Sequence, residues 1–496
     1  MKERILLFST YELIHLYGSI SKYIEKDFEV IHLAYSNKEE KLLKEKYRIS
    51  NPINFKNEID VLYSSEKIDN ELLWEIDKFI IKNSTNRFCL NSAIQSDRSF
   101  QYLPYEECLK LTQVYYKFWD LLIKNNNIKY IIHEPNAILF TQMASLIAKK
   151  YNSLYLTQIQ VFGENKTNWI FVDGDKGFPV ELSLISEIKT RSIDVKRIEK
   201  FLLDFRSNQN GLLEALSKEK KTVKITHIFF SFLRLFARHL KRGFLRINKK
   251  SFNIQNHVEA YLVKSRKSFK DDFFDKWNYL ISMKYDSFST DDVYYYYPLH
   301  LEPEAVVLYW ADGIYKNQVK LIENIAAQLP PCCYLYVKDH PHGGDYREHI
   351  DYKRIKAIPN VKLLSPNASG KVLIANSRGV ITINGTSGFE ALLLNKQIYT
   401  FGNSFYDLCN RVKKINHIKD LRSHIYDNYM NIYTDDSELY SFIDSYLKSS
   451  HEGFTAYFLD YAKKLNIDIK SNAILVADGM LNSLENVSRF KKVEID

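Results

Sequence analysis

No pair among the five cysteines of this 496-residue chain falls into a C-x-x-C spacing, and their number is odd (Cys89, Cys108, Cys332, Cys333 and Cys409). Neither a disulfide framework nor a zinc knuckle is therefore suggested, and a reducing compartment fits. No segment reaches the roughly 18 uninterrupted apolar residues of a spanning helix. The N-terminus, MKERILLFSTYELIHLYGSI, has an apolar run too short for a secretion signal, so it is expected to open with a buried strand, RILLFS, and then a helix. There is no G-x-x-x-x-G-K-[ST] phosphate loop, no internal repeat and no low-complexity tract. Basic charge is absent from most of the chain as well. The net charge is +9, yet between Lys218 and Lys250 eleven lysines and arginines face Glu219 alone. The remainder is close to neutral.

What is present is an alternation of strands and helices. Hydrophobic residues at 45% and charged residues at 26% are ordinary for a folded globular chain. The length predicts two domains of about 200 residues each. In residues 1–180, ERILLFS, FEVIHLAY, IKYIIHEP and SLYLTQI read as strands, and YEECLKLTQVYYKFWDLLIKN and ILFTQMASLIAKKYN as helices. Strands separated by such helices imply a parallel sheet covered on both faces. Residues 181–288 lack this rhythm and read as helical and polar, with the basic stretch inside them. The rhythm resumes over 289–436, with strands at DDVYYYYPLH, CCYLYVKDH, VKLLS, GVITIN and QIYTFG and helices between them. Residues 437–496 return to helical spacing. The expected fold class is α/β, with two Rossmann-like parallel-sheet domains facing a cleft and joined by a helical middle segment.

Five features are candidates to carry chemistry or binding. The turn Gly385-Thr386-Ser387-Gly388 joins a predicted strand to a predicted helix. A helix N-terminus there offers unpaired N–H groups and a positive dipole end to an anion, the glycines would let a phosphate approach the backbone, and Thr386 or Ser387 adds a hydroxyl. An ordinary Ser/Thr N-cap explains the same residues. The loop Lys338-Asp339-His340-Pro341-His342 follows another strand of the same sheet, so both features lie at the carboxyl edge where open α/β sheets bind ligands. Lys338 and His340 suit a phosphate or departing nucleotide. The rival reading is a metal site of His340, His342 and Asp345. Glu134, at the end of IKYIIHEP, is placed for general base work or for capping the next turn. Asp173-Gly174-Asp175 offers a D-x-D metal pattern that also occurs in plain turns. In the basic segment, Arg234, Arg238, Lys241 and Arg242 interleave with Phe and Leu at helical spacing. That pattern fits a membrane interface or acidic glycolipid, and equally a helix packed on its own domain. Nucleic acid is disfavoured, since no recognised binding module surrounds the segment.

VKDHP followed by ITINGTSGFEALLLNKQIYTFGNSFY resembles the capsule polysaccharide biosynthesis family, which includes bacterial Kdo transferases and is broadly similar to sialyltransferase-like enzymes that use CMP-sugars. The resemblance covers roughly residues 291–410, including the YYPLHLEPEA entry to the second domain. It implies a GT-B architecture with the nucleotide on the C-terminal domain and the acceptor on the N-terminal one. His340 and Pro341 match the family's His-Pro element near the nucleotide phosphate, Thr386 and Ser387 its hydroxyl-bearing turn, and Glu390 a glutamate that bonds ribose hydroxyls. The implied activity is transfer of a sugar, Kdo or a related ulosonate from a CMP-sugar, to a glycan or glycolipid acceptor of capsule or lipopolysaccharide. No cofactor or metal is expected, and the expected location is the cytoplasm, peripheral at the inner face of the membrane. Two alternatives stand beside it: a CDP-polyol phosphotransferase of wall or capsule polymers, and a non-catalytic capsule assembly or export factor of the same fold.

Overall fold

The structure is a computed structural model. It describes residues 2–84, 88–98, 100, 103–164, 167–181, 193–207, 232–237, 240, 273–274, 277–278, 283–302, 305–311, 313–340, 347–428, 436–455, 462–463 and 465–493. These fall into two units: unit 1, up to Val195 together with Ser441 onward, and unit 2, between Lys196 and Tyr440. Of residues 437–496, set apart by the sequence reading as C-terminal helices, those from Ser441 onward are thus grouped with the N-terminal unit. No helix among the described residues is long and apolar enough to cross a membrane.

Unit 1 is built on seven strands: β1 (Glu3–Ser9), β2 (Phe28–Ala34), β3 (Ile53–Asn54), β4 (Ile128–His133), β5 (Leu154–Val161), β6 (Asn168–Asp173) and, from the C-terminal part, a short strand His451–Glu452. Their order across the sheet is His451–Glu452, β6, β5, β4, β1, β2, β3. From β5 to β3 neighbouring strands run parallel, whereas β6 returns antiparallel on β5 and pairs antiparallel with His451–Glu452. Helices α1 (Leu13–Ile24), α2 (Asn37–Tyr47), α3 (Tyr105–Asn126) and α4 (Leu139–Lys150) connect the strands. The last helix, Ile469–Val493, closes one face: Ala473, Val476, Ala477, Met480 and Leu484 share a core with Leu13, Leu16, Tyr17 and Ile20 of α1 and with Ile5 and Leu7 of β1. That apolar set, spaced by three and four residues, is why a C-terminal segment belongs to the N-terminal sheet.

Unit 2 has a wholly parallel sheet of β7 (Tyr294–Pro298), β8 (Tyr334–Lys338), β9 (Val361–Leu364), β10 (Gly379–Thr382), β11 (Gln397–Thr400) and β12 (Val412–Lys414), ordered β12-β11-β10-β7-β8-β9. Helices α5 (Gln318–Ala326), α6 (His349–Lys356) and α7 (Thr386–Leu393) lie in the connections. All four tyrosines of β7, Tyr294–Tyr297, are buried. Tyr294 stacks on Tyr336 of β8 at 4.0 Å and donates to the Leu373 carbonyl at 2.7 Å. Tyr297 donates to Gln318 at 3.2 Å.

Both sheets share one topological property. In unit 1 the chain steps from β1 outward to β2 and β3, then returns to place β4 on the other side of β1; in unit 2 β7 is followed outward by β8 and β9, and β10 then flanks β7 on its other side. The gaps between β1 and β4 and between β7 and β10 are therefore the points where strand order reverses. At such points the loops leave in opposite directions and open a crevice at the carboxyl ends of the strands.

Candidate functional site

At the reversal point of unit 2 three loops converge. From β10 the chain passes through Ile383 and Asn384 to Gly385, the N-cap residue of α7, with extended backbone (φ −73°, ψ 165°). Thr386 and Ser387 are the first helical residues and are half-buried. The N-cap position is glycine, so no side chain caps this end. The ordinary Ser/Thr N-cap weighed in the sequence is not what is built.

The two glycines are small for packing reasons that the sequence did not show. A Cβ on Gly388 would lie 2.3 Å from the Tyr406 hydroxyl, and that hydroxyl donates to the Gly385 carbonyl at 2.7 Å. Gly388 is buried, and the atoms its missing side chain admits are those of Tyr406. A Cβ on Gly385 would sit 3.1 Å from His300 Cε1. Glu390 lies on the buried face of α7.

His300, two residues beyond β7, is the centre of the arrangement and was missed as a site residue. Its Nε2 is 3.2 Å from the Thr382 hydroxyl, on the strand that delivers the turn, and Thr382 Oγ1 also accepts from the Gly385 N–H at 3.3 Å. Gln318 of α5 fixes the His300 backbone from both sides, accepting from its N–H at 2.8 Å and donating to its carbonyl at 3.0 Å. Gln318 in turn donates to Glu302 at 2.7 Å. Arg347 donates to the His300 carbonyl at 3.2 Å and is ion-paired to Glu302 at 3.2 Å. The guanidinium is buried, and its Nε has no hydrogen-bond partner among the described residues. Burial, reinforced by the positive charges of His340 and Arg347, drives the His300 imidazole down to about 3, so it is neutral at physiological pH.

The third loop leaves β8. Lys338 and His340 are half-buried and Asp339 between them is buried. The Asp339 carboxylate accepts from the Tyr285 hydroxyl at 2.8 Å, the Tyr352 hydroxyl at 3.2 Å and the His340 N–H at 2.8 Å. Those bonds fix the backbone from which the His340 side chain departs. Burial nonetheless raises the Asp339 pKa above the ordinary carboxylate range. Pro341, His342 and Asp345 lie outside the described residues, as do Arg238, Lys241 and Arg242. Among the described residues no group of three His, Cys, Asp or Glu side chains is placed to hold a metal ion.

In unit 1, Glu134 follows β4 at the other reversal point and is half-buried. Its backbone carbonyl accepts from the Tyr155 hydroxyl at 3.1 Å, and its charge helps burial to raise the phenol pKa values of Tyr17 and Tyr155. The D-x-D pattern is a turn: the Asp173 carboxylate accepts from the N–H groups of Asp175 and Lys176 at 2.8 and 2.9 Å, and Asp175 is ion-paired with Lys149 at 2.6 Å. Both carboxylates are thereby committed to local structure. Arg234 is exposed, within helical residues 232–237, beside exposed Leu233 and Phe236.

Residues 269–444 match the family described as capsule polysaccharide biosynthesis protein, a stretch that contains every element of the unit 2 arrangement. Protein FixF of Sinorhizobium fredii is 36% identical over 107 residues, 22% of this chain and 25% of that protein, so the match spans about a quarter of the relative's length. Among solved structures, the KpsC β-Kdo 2,4 transferase of Thermosulfurimonas dismutans is similar at 14% identity over 66% of this chain and 82% of its own, with a TM-score of 0.32. The UDP-GlcNAc 2-epimerase of Methanocaldococcus jannaschii, in complex with UDP-GlcNAc and UDP, is similar at 14% identity over 90% and 99%, with a TM-score of 0.25.

Proposed function

We propose that this protein is a glycosyltransferase of bacterial surface polysaccharide assembly, moving a sugar from a nucleotide donor, a CMP-linked ulosonate such as Kdo, to a glycan or glycolipid acceptor. The observation that carries the reading is the convergence of His340, the α7 N-terminus and the His300–Arg347 network at the reversal point of unit 2, inside the stretch that matches the capsule family. In the transfer, a bond forms between the acceptor oxygen and the anomeric carbon, and the bond from that carbon to the phosphate oxygen breaks with its electrons leaving on the nucleotide. The leaving phosphate is where negative charge grows, so donors fixed beforehand at that position lower the barrier. In this reading Gly385, Thr386 and Ser387 supply N–H and hydroxyl donors there, His340 and Lys338 supply cationic or neutral donors, Pro341 shapes the His340 loop, Gly388 lets α7 start against Tyr406, and Glu390 takes the ribose. Glu134 accepts the proton of the acceptor hydroxyl. Helix-end and side-chain donors do the work that a divalent cation would otherwise do, so no metal is required.

The basic stretch that includes Arg234, Arg238, Lys241 and Arg242 is assigned to the anionic inner face of the membrane, where a glycolipid acceptor would be met. Exposed Leu233, Phe236 and Leu240 beside exposed Arg234 support this, because apolar and cationic groups side by side fit a headgroup boundary.

The test is nucleotide-induced stabilisation with CMP, CDP, UDP and GDP, followed by product formation with the matching donors by wild type, His340→Ala and Glu134→Gln. Stabilisation by CMP, a glycosidic product, and turnover reduced by about a hundredfold or more in either variant are the expected results. A phosphodiester product in the phosphorus NMR spectrum would identify a polyol-phosphate transferase instead. Absence of stabilisation by any nucleotide would favour a non-catalytic assembly factor.

A further inference from the structure

We propose that Tyr285 and Asp339 are positioning residues of the nucleotide edge: a strap of the chain, residues 283–289, holds the His340 backbone through the Asp339 carboxylate, and donor binding depends on it. The naming of a nucleotide donor rests on the glycosyl-transfer reading. The sequence places residues up to 288 in a helical middle segment, but residues 283–289 carry neither helix nor strand. They meet β9 instead, the last strand of the unit 2 sheet. An edge strand leaves backbone N–H and C=O groups without a partner strand. Asp286 satisfies both groups of Leu363: its N–H donates to the Leu363 carbonyl at 2.8 Å, and its carboxylate accepts from the Leu363 N–H at 2.8 Å. One residue thus stands in for a neighbouring strand. Lys356, the last residue of α6, closes the attachment by donating to the Lys284 carbonyl at 2.6 Å and to Asp286 at 3.1 Å. Further on, the Ser289 N–H donates to the Tyr336 hydroxyl at 3.3 Å.

Between these anchors the Tyr285 hydroxyl donates to one oxygen of Asp339 at 2.8 Å. Asp339 is 1% exposed, and a carboxylate taken out of water stays ionised only where hydrogen bonds and charges replace that water. Burial raises its pKa; of the contacts that oppose this, the Tyr285 hydroxyl acts most strongly, ahead of the Arg347 charge and the Tyr352 hydroxyl. The other oxygen accepts from the His340 N–H at 2.8 Å and from Tyr352 at 3.2 Å. Two oxygens of one carboxylate turn together, so the Tyr285 bond on the first sets the direction in which the second receives His340. The Asp339 N–H is held in turn by the Leu364 carbonyl at 3.1 Å. Asp339 therefore links β9, the strap and His340. Packing alone does not secure the strap, since Tyr285, Asp286 and Ser287 line a cavity of about 490 Å³ together with Tyr334, Lys356 and Lys362. Donors to a leaving phosphate are effective when fixed beforehand, and a displacement of about an ångström forfeits much of their effect.

The test is CMP affinity by titration calorimetry on the full chain, with the His340 amide followed by NMR in isotope-labelled histidine and assigned by its loss in His340→Gln. Tyr285→Phe keeps the ring and removes only the hydroxyl. Its His340 amide resonance should shift, and CMP should bind about tenfold more weakly. Asp286 has no bond to Asp339 or His340 among the described residues, yet Asp286→Ala should weaken CMP about fivefold by freeing the strap. Asp286→Asn keeps an oxygen for the Leu363 N–H and should bind CMP within about twofold of wild type. A merely structural bond would lower the melting temperature of Tyr285→Phe and leave CMP affinity alone. Unchanged CMP affinity in Tyr285→Phe therefore overturns the proposal, as does an unmoved His340 amide. Affinity that falls in Tyr285→Phe but not in Asp286→Ala overturns the role of the strap. Each of these results leaves the glycosyl-transfer reading standing, whereas a wild type that binds none of CMP, CDP, UDP and GDP refutes that reading and the donor role of Tyr285 and Asp339 with it.

Discussion

Gly388→Ala tests how the turn before α7 is held. The added Cβ would lie 2.3 Å from the Tyr406 hydroxyl oxygen, 2.6 Å from Cζ and 2.9 Å from Cε2. Ordinary carbon contacts lie at roughly 3.5–4.0 Å, so the phenol must retreat by about an ångström. It has little room to do so. Tyr406 is fully buried, with the rings of Phe389 at 6.4 Å and Phe405 at 5.2 Å. Overpacking of this kind costs about 1–3 kcal/mol. Separating the buried hydroxyl from the Gly385 carbonyl adds about 1–3 kcal/mol. The expected loss is about 2–6 kcal/mol, a large part of the roughly 5–15 kcal/mol that holds a typical domain. Gly385→Ala is the matched control: its Cβ comes no nearer than 3.1 Å to any neighbour, with His300 Cε1 at that distance and Thr382 Oγ1 at 3.5 Å, and at φ −73° any residue is at ease. It should cost about 1 kcal/mol or less. Urea denaturation followed by circular dichroism reads both. Indistinguishable midpoints for the two variants would refute the account of Gly388 as a packing glycine.

His300→Gln removes the imidazole that meets the Thr382 hydroxyl, the acceptor of the Gly385 N–H, and should lower kcat/KM for the donor by about tenfold with the acceptor KM unchanged, as initial rates at varied donor would show. Burial also depresses the pKa values of His32, to about 4, and His133, to about 3, so the unfolded chain binds more protons than the folded one below the ordinary value of 6.5. Stability is therefore full above that pH and falls as acid is added, by about 2 kcal/mol per histidine at pH 5. Denaturation at pH 7 and 5 should show this, with a shallower dependence for His133→Asn; a flat profile would refute it. Binding to anionic liposomes should fall at least several-fold when Arg234, Arg238, Lys241 and Arg242 are changed to Gln, and should weaken as salt is raised; equal sedimentation would remove the membrane assignment. Transfer should continue in EDTA, and a loss restored only by magnesium or manganese would overturn the metal-independent reading.

Most strands of both sheets were legible because parallel strands are short apolar runs set between helical periods, and GVITIN or IKYIIH can be little else; the short edge strands β3, β12 and His451–Glu452 offer no such run. The antiparallel strand β6 escaped because the alternation of strand and helix implies only parallel neighbours, and nothing in NWIFVD states its direction. Within the site, Lys338, His340 and the 385–388 turn were legible through their place just after strands. His300 carried the same signal, two residues beyond β7, but its company is non-local: Gln318 lies 18 residues on, Arg347 47 and Thr382 82. Only the strand order β10-β7-β8 brings those residues to one edge. The reason for Gly388 was hidden in the same way. A glycine at the start of a helix reads as room for a ligand until Tyr406, 18 residues later in the sequence, is seen to fill that room.

The two reversal points differ in charge, and the difference follows from what each histidine touches. His300 is neutral beside the Arg347 guanidinium, so the innermost ring at the edge of unit 2 is a neutral hydrogen-bonding group next to a fixed cation. His133 is neutral against Phe8, with no cation among the causes of its depressed pKa. In the proposed reading the fixed cation at the first edge is what favours an anionic nucleotide. Selection by groups fixed at that edge does not depend on overall charge, most of which the stretch at 218–250 carries. Neutralising that stretch should therefore leave nucleotide affinity within about twofold of wild type, while membrane binding is lost. A parallel fall in both would mean that the long-range field, and not the local arrangement, selects the nucleotide.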